Sequence, residues 1–143
     1  MSRAAYQRRM IQLAPYLSFN GNCEEALNFY KDCLGGEISD LHRYEGSPME
    51  QQFGPVSKNK IMHSTFKFDG GTFMAADSPQ GTTSDSNVSL SIGLDDEKRA
   101  RQIFNALSAG ADVQVPFEKQ FWGATFGMLK DRYNIQWMIN CGG

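Results

Sequence analysis

The sequence predicts an α+β protein made of two consecutive β-α-β-β-β modules that together form a mixed sheet. Three observations carry that expectation. Phe29-Tyr30-Lys31-Asp32-Cys33-Leu34-Gly35-Gly36-Glu37-Ile38 is echoed at constant offset by Phe104-Asn105-Ala106-Leu107-Ser108-Ala109-Gly110-Ala111-Asp112-Val113, and both segments read as a helix ending and a strand beginning. Each half opens on an alternating apolar strand with a helical stripe directly behind it. Each half also carries strands joined through turn-forming residues, Asp69-Gly70-Gly71 in one and Asp131-Arg132-Tyr133-Asn134 in the other. A module this short cannot close its own apolar face, so the two copies must pack together, and the space between duplicated sheets suits a small ligand.

In the first module, Leu13, Pro15, Leu17 and Phe19 alternate with Ala14, Tyr16 and Ser18. This is a half-buried strand, with the early proline marking a strand start or an edge. Asn22 and Glu25 have the spacing of a capping box, and Ala26, Tyr30, Cys33 and Leu34 then recur at helical spacing until Gly35-Gly36. Ile38 to Tyr44 reads as a second strand. Residues 45–60 contain Gly46, Pro48, Gly54 and Pro55 without a period. They read as a long loop, which is either a lid laying Met49 and Phe53 over a pocket or a solvated excursion. Ile61 to Phe68 alternates, with Met62, Phe66 and Phe68 on one face and His63, Thr65 and Lys67 on the other. Thr72 to Asp77 returns from the turn, and residues 78–86 form a polar linker.

In the second module, Val88, Leu90, Ile92 and Leu94 alternate with Ser89, Ser91 and Gly93. The apolar face should meet the helix that follows. Asp95 or Asp96 caps that helix, whose stripe is Ala100, Ile103, Phe104 and Leu107, and Gly110 is its C′ residue. Strands are expected at Val113–Val115, Thr125–Leu129 and Ile135–Asn140. The modules thus occupy 10–80 and 86–141 of a single domain spanning 10–143. Residues 1–9, with Arg3, Arg8 and Arg9, read as a flexible arm, a translated upstream start or residues added for expression.

Composition excludes several function classes. A net charge of −2 argues against a nucleic-acid footprint or a polybasic membrane patch. Three cysteines without C-x-x-C spacing disfavour a disulfide framework and a structural zinc site, and point to reduced thiols in the cytoplasm. No apolar run reaches membrane-spanning length. No G-x-S-x-G elbow, Walker A loop or G-x-G-x-x-G turn is present.

If the helices cover the apolar faces, His63, Thr65, Ser89 and Ser91 share the opposite side of the sheet. His63 is a candidate general base or metal ligand, with Asp77 as its candidate partner; the alternatives are a hydrogen-bonded histidine and a turn-initiating aspartate. With only two histidines, the second being His42 beside Arg43, a metal cluster has little support. The segment Phe121-Trp122-Gly123-Ala124-Thr125-Phe126, with Gln136-Trp137 behind it, either walls an apolar pocket or packs in the core. In the first case Tyr16, Trp122, Phe126 and Trp137 would be contact surfaces, and Gln136 and Asn140 would supply fixed polar groups.

Pro15-Tyr16-Leu17-Ser18-Phe19-Asn20-Gly21-Asn22-Cys23, Ile61-Met62-His63, Phe121-Trp122-Gly123, and Asp131-Arg132-Tyr133 running into Trp137-Met138-Ile139-Asn140 resemble the bacterial PhnB-like family. That family belongs to the vicinal oxygen chelate superfamily of glyoxalase I, extradiol dioxygenases and bleomycin-resistance proteins. The resemblance implies a cupped sheet enclosing a pocket, and a homodimer. Catalytic members of the superfamily place metal ligands on the first and last strands of each module. Registered on that pattern, this chain has Pro15, then Ala76 or Asp77, then Ser89, then Ile139 or Asn140. No metal ligand or cofactor is therefore expected, although a divalent metal stays open. Relatives often carry the label 3-demethylubiquinone methyltransferase, for which the sequence offers no methyl-donor nucleotide turn. The expected function is binding of a small organic molecule. Its alternatives are a metal-dependent lyase, isomerase or dioxygenase using His63 and Asp77, and a pure protein-interaction module.

Overall fold

In a computed structural model, the residues described are 11–50, 58–79, 81–82 and 87–142. Phe53, residues 1–9 and much of the segment expected to be a linker lie outside them. Two copies of β-α-β-β-β follow one another, as expected. The first is β1 (Tyr16–Phe19), α1 (Cys23–Leu34), β2 (Glu37–Arg43), β3 (Ile61–Phe68) and β4 (Gly71–Asp77). The second is β5 (Leu90–Leu94), α2 (Glu97–Leu107), β6 (Asp112–Lys119), β7 (Thr125–Lys130) and β8 (Gln136–Cys141). They form two separate four-stranded sheets, ordered β1-β4-β3-β2 and β5-β8-β7-β6. In each, the first strand runs parallel to the last and the other pairs are antiparallel.

Alternation along the strands decides what each sheet buries. On β1 and β4, Leu17, Phe19, Phe73 and Ala75 enter the core, and on β8 Trp137, Ile139 and Cys141 do so. The α1 stripe is Cys23, Ala26, Leu27, Tyr30, Cys33 and Leu34, while α2 buries Ala100, Ile103, Phe104 and Leu107. Both helices pack on the core faces of their sheets and on each other, so one apolar cluster serves both modules. The repeat aligns the starts of β2 and β6 but not the helix faces: Phe104 is buried, whereas its counterpart Phe29 is half-buried beside fully buried Tyr30.

Tyr30 joins the halves. Its ring meets Phe73, Tyr133 and Trp137 edge-on at 5.9, 6.1 and 5.6 Å. Its hydroxyl donates to Asp131 Oδ2 at 2.6 Å, and the Trp137 indole N–H donates to the same oxygen at 2.8 Å. Asp131 Oδ1 accepts from the backbone N–H groups of Tyr133 and Ile135. A buried carboxylate is tolerated here because four donors surround it.

Several local expectations change. The first strand begins at Tyr16, and Leu13 before it is exposed. The Asn22 side chain makes no capping hydrogen bond. The first N–H of α1, Cys23, instead donates to Asp77 Oδ1, 2.9 Å away from the neighbouring strand β4, and Glu25 accepts from the Tyr133 hydroxyl. Asp96 does cap α2, accepting from the Arg99 N–H at 3.1 Å. Gly110 has a φ of +75° but lies two residues beyond the cap residue Ser108. Strand β6 runs well past Val115, because Pro116 falls within a register shift on an edge strand, where no ladder N–H is required. Gly36, at φ +113°, must be glycine, since a Cβ there would run into the Lys67 carbonyl oxygen.

Candidate functional site

Each sheet leaves one face free of helix. On the first sheet that face carries Tyr16 and Ser18 of β1, Met74 and Ala76 of β4, and His63 and Thr65 of β3, as the ladder registers require. Because Ala76 is small, the Tyr16 side chain can reach diagonally toward His63. The phenol oxygen lies 3.5 Å from His63 Nδ1, and the two ring centres are 6.1 Å apart. Burial, and secondarily the Cys23 thiol, pushes the Tyr16 phenol up from its usual range. Beside Thr65, Ser39 Oγ is buried without a hydrogen-bond partner among the described residues.

The expected pairing of His63 with Asp77 does not form. Asp77 is one residue out of phase with Ala76 and points to the helix-covered side, where it is buried. Both its oxygens are engaged, one by Cys23 N–H and the other by Ile61 N–H at 2.9 Å. It fixes the N-terminus of α1 and the start of β3, and its charge complements the helix dipole. Burial and the neighbouring Asp77 push the Cys23 thiol up to about 12, so Cys23 is an inert core thiol.

On the second sheet, Ser91, Met138 and Met128 share the helix-free face with Asn140, Phe126 and Gln136. Ser89 precedes β5 and is exposed. Trp137, grouped in the sequence with Gln136, lies on the opposite face: it is 1% exposed and belongs to the core. Trp122, by contrast, is 52% exposed on the β6–β7 connection and stacks edge-on with Phe121 and Phe126. Met49 is half-buried with helical backbone, and its lid partner Phe53 falls outside the described residues.

The two halves of the site meet at a seam. Strands β1 and β5 are the facing edges of sheets that share no ladder, and between them opens a cavity of about 310 Å³. Tyr16 and Ser18 line it from one module, and Val88, Leu90 and Gln136 from the other. Gln136 is anchored through its amide nitrogen to the Leu129 carbonyl and to Gln114. The volume is at the lower end for small-molecule sites, and the lining combines apolar walls with a few fixed polar groups. Among the candidates read from sequence, Tyr16 and Gln136 line this cavity; Thr65, Ser91, Phe126 and Asn140 lie on the adjoining helix-free faces.

The model of the family described as 3-demethylubiquinone-9 3-methyltransferase matches residues 11–140. The chain belongs to this family. Protein PA1353 from Pseudomonas aeruginosa is 38% identical, with a TM-score of 0.80 over 92% of this chain and 98% of that one. The PhnB protein from Bacillus cereus is 26% identical, with a TM-score of 0.78 over 92% and 100%. A glyoxylase/bleomycin resistance protein/dioxygenase domain from Frankia sp. EAN1pec, 14% identical with a TM-score of 0.63 over 94% and 98%, shares the fold. This PhnB-like chain therefore has the architecture of the vicinal oxygen chelate superfamily.

The metal of the superfamily's catalytic members can be tested against the donors present. On β1, β4, β5 and β8 the helix-free faces offer Tyr16, Ser18, Thr72, Met74, Ala76, Ser91, Gln136, Met138 and Asn140. These include no imidazole, thiol or carboxylate, and among the described residues no three His, Cys, Asp or Glu converge. Neither Asp77 nor Ile139 faces that side. The donor set on those four strands does not fit such a metal.

Proposed function

We propose that this PhnB-like protein binds a small organic molecule at the seam between its modules, and that it works as a homodimer. The observation that carries the reading is the cavity between β1 and β5. There Leu17, Val88 and Leu90 provide apolar walls, and Tyr16, Ser18 and Gln136 provide polar groups. Support for the dimer comes from the surface. Val88, Phe121 and Trp122 are 64%, 96% and 52% exposed, and the facing edges of β1 and β5 do not pair within the chain. Phe121 and Trp122 follow β6, itself an edge strand of the second sheet, and exposed aromatics and unpaired strand edges both favour a covering partner.

The alternative, a metal-dependent lyase, isomerase or dioxygenase using His63 and Asp77, is less well supported, because Asp77 is turned to the helix-covered side with both oxygens held by the Cys23 and Ile61 N–H groups and cannot join His63 in holding a metal that polarises a substrate oxygen. Methyl transfer, named in the family's description, is not part of the proposal. The two short mixed sheets differ from the doubly wound parallel sheet that cradles a nucleotide at its switch point, and a family label does not itself assign chemistry.

The test is a thermal-shift screen of the full chain against small aromatic and aliphatic compounds, with Tyr16→Ala alongside. A ligand at 100 times its Kd adds about 2.7 kcal/mol, or a rise of about 8 °C in Tm for a domain of this size. Hits that lose most of their shift in Tyr16→Ala support the seam. Absence of hits, or shifts that Tyr16→Ala leaves intact, would count against it.

A further inference from the structure

We propose that His42 and His63 form an open two-histidine site for a divalent transition metal, separate from the four strand positions used in the superfamily. They are the chain's only histidines, and the ladder between β2 and β3 sets them directly opposite one another. Directly opposed residues in an antiparallel pair project to the same face, with Cβ atoms about 4.5–5.5 Å apart. That spacing lets two imidazole nitrogens approach one ion at about 2.0–2.1 Å each.

The pairing depends on two compensating irregularities. Ser39 pairs with Thr65 and His42 with His63, so β2 carries one extra residue between these pairs, at the bend where Asp40 has a φ of +50°. Arg43 then pairs with Ile61, so β3 carries one extra residue, Met62, on the other side. The first bulge puts His42 rather than Leu41 opposite His63. The second restores Ile61 to the core and Arg43 to the helix side, where Arg43 binds Glu24 at 2.7 Å. A regular ladder would leave the histidines on opposite faces. Bulges bend a ladder and re-aim side chains, and they concentrate near functional sites.

Tyr16 completes the arrangement. Its phenol oxygen lies by His63 Nδ1, which leaves Nε2 for the metal and lets Nδ1–H donate to the phenol in the loaded state. Ligating histidines commonly have such a partner on the second nitrogen. Imidazole pairs suit Zn²⁺, Ni²⁺ and Cu²⁺. Two protein ligands leave the remaining coordination positions to water or to a chelating small molecule. The proposal does not rest on ligand binding at the β1–β5 seam, and either reading can fail alone.

The experiment is calorimetric titration of the untagged full chain with Zn²⁺, paired with Cu²⁺ electron paramagnetic resonance to count coordinated nitrogens. The expected result is one ion per chain with coupling from two imidazoles. His42→Ala and His63→Ala should each abolish tight binding while melting like the parent protein. Tyr16→Phe should weaken Zn²⁺ about tenfold, the lower end of the effect of an outer-shell partner, while keeping two nitrogens. The proposal is overturned if the parent protein binds no Zn²⁺, or if His42→Ala binds as well as the parent. Either result leaves the Tyr16-dependent thermal shifts with organic ligands unaffected as a test of the seam.

Discussion

Replacing Asp131 with asparagine tests how the two modules are held together. The carboxylate is 3% exposed and accepts four hydrogen bonds, from the Tyr30 hydroxyl, the Trp137 indole and the backbone of Tyr133 and Ile135. Asparagine keeps the volume and can still accept the two backbone N–H groups through its oxygen. Its amide nitrogen then faces Tyr30 and Trp137. The tyrosine hydroxyl can turn to accept, but the indole is only a donor and becomes an unsatisfied buried group. That costs about 1–3 kcal/mol, and hydrogen bonds that lose a charged acceptor weaken by about 1 kcal/mol each. The expected loss is therefore about 3–5 kcal/mol, a large share of a typical domain's 5–15 kcal/mol. Urea unfolding with an unchanged m-value should show it as a lower midpoint. In a Trp137→Phe background the same substitution should cost about 1–3 kcal/mol less, because no indole donor remains to be stranded. A loss below about 1 kcal/mol, or full additivity of the two changes, would refute the clamp.

Two further predictions concern burial. Asp77→Ala should leave the Cys23 and Ile61 N–H groups without their acceptor and lower stability by about 2–5 kcal/mol; a thermal melt within a degree or two of the parent would contradict its capping role. Stability should also fall on the alkaline side. The Cys23 thiol is raised to about 12 by burial and then by Asp77, Cys33 to about 11 by burial and then by Asp32, and Tyr30 strongly upward by burial and then by Asp131. Groups raised on folding contribute fully below their unfolded pKa, and that contribution is lost as pH rises toward the folded value. Urea midpoints measured from pH 8 to pH 12 should therefore decline from about pH 9, by roughly 1.4 kcal/mol per pH unit for each fully shifted group. Cys23→Ser should flatten the early part of that decline, and a profile level to pH 11 would contradict it.

What could be read from sequence was what depends on local period. The α1 and α2 stripes, an α2 cap at Asp95 or Asp96, the two turns and the repeated element order follow from spacing along one segment, and the structure has each of them, with Asp96 as the cap. What escaped depends on residues brought together from afar. Asp77 caps α1 across 54 residues of sequence, which no Asn22–Glu25 pattern can reveal. The His42–His63 pairing depends on bulges on both strands, and strict alternation mispredicts Ile61 for the same reason. Trp137 could have been separated from Gln136 by parity alone, since neighbours on a strand point to opposite faces. Grouping them by aromatic density placed in the pocket a residue that the core holds.

The measurement that bears most directly on the function is a crystal structure of the full chain soaked with the strongest thermal-shift hit. Ligand density is expected at the β1–β5 seam, in contact with Tyr16 and Gln136. Density confined to another surface, with the seam filled by the protein's own side chains, would contradict it.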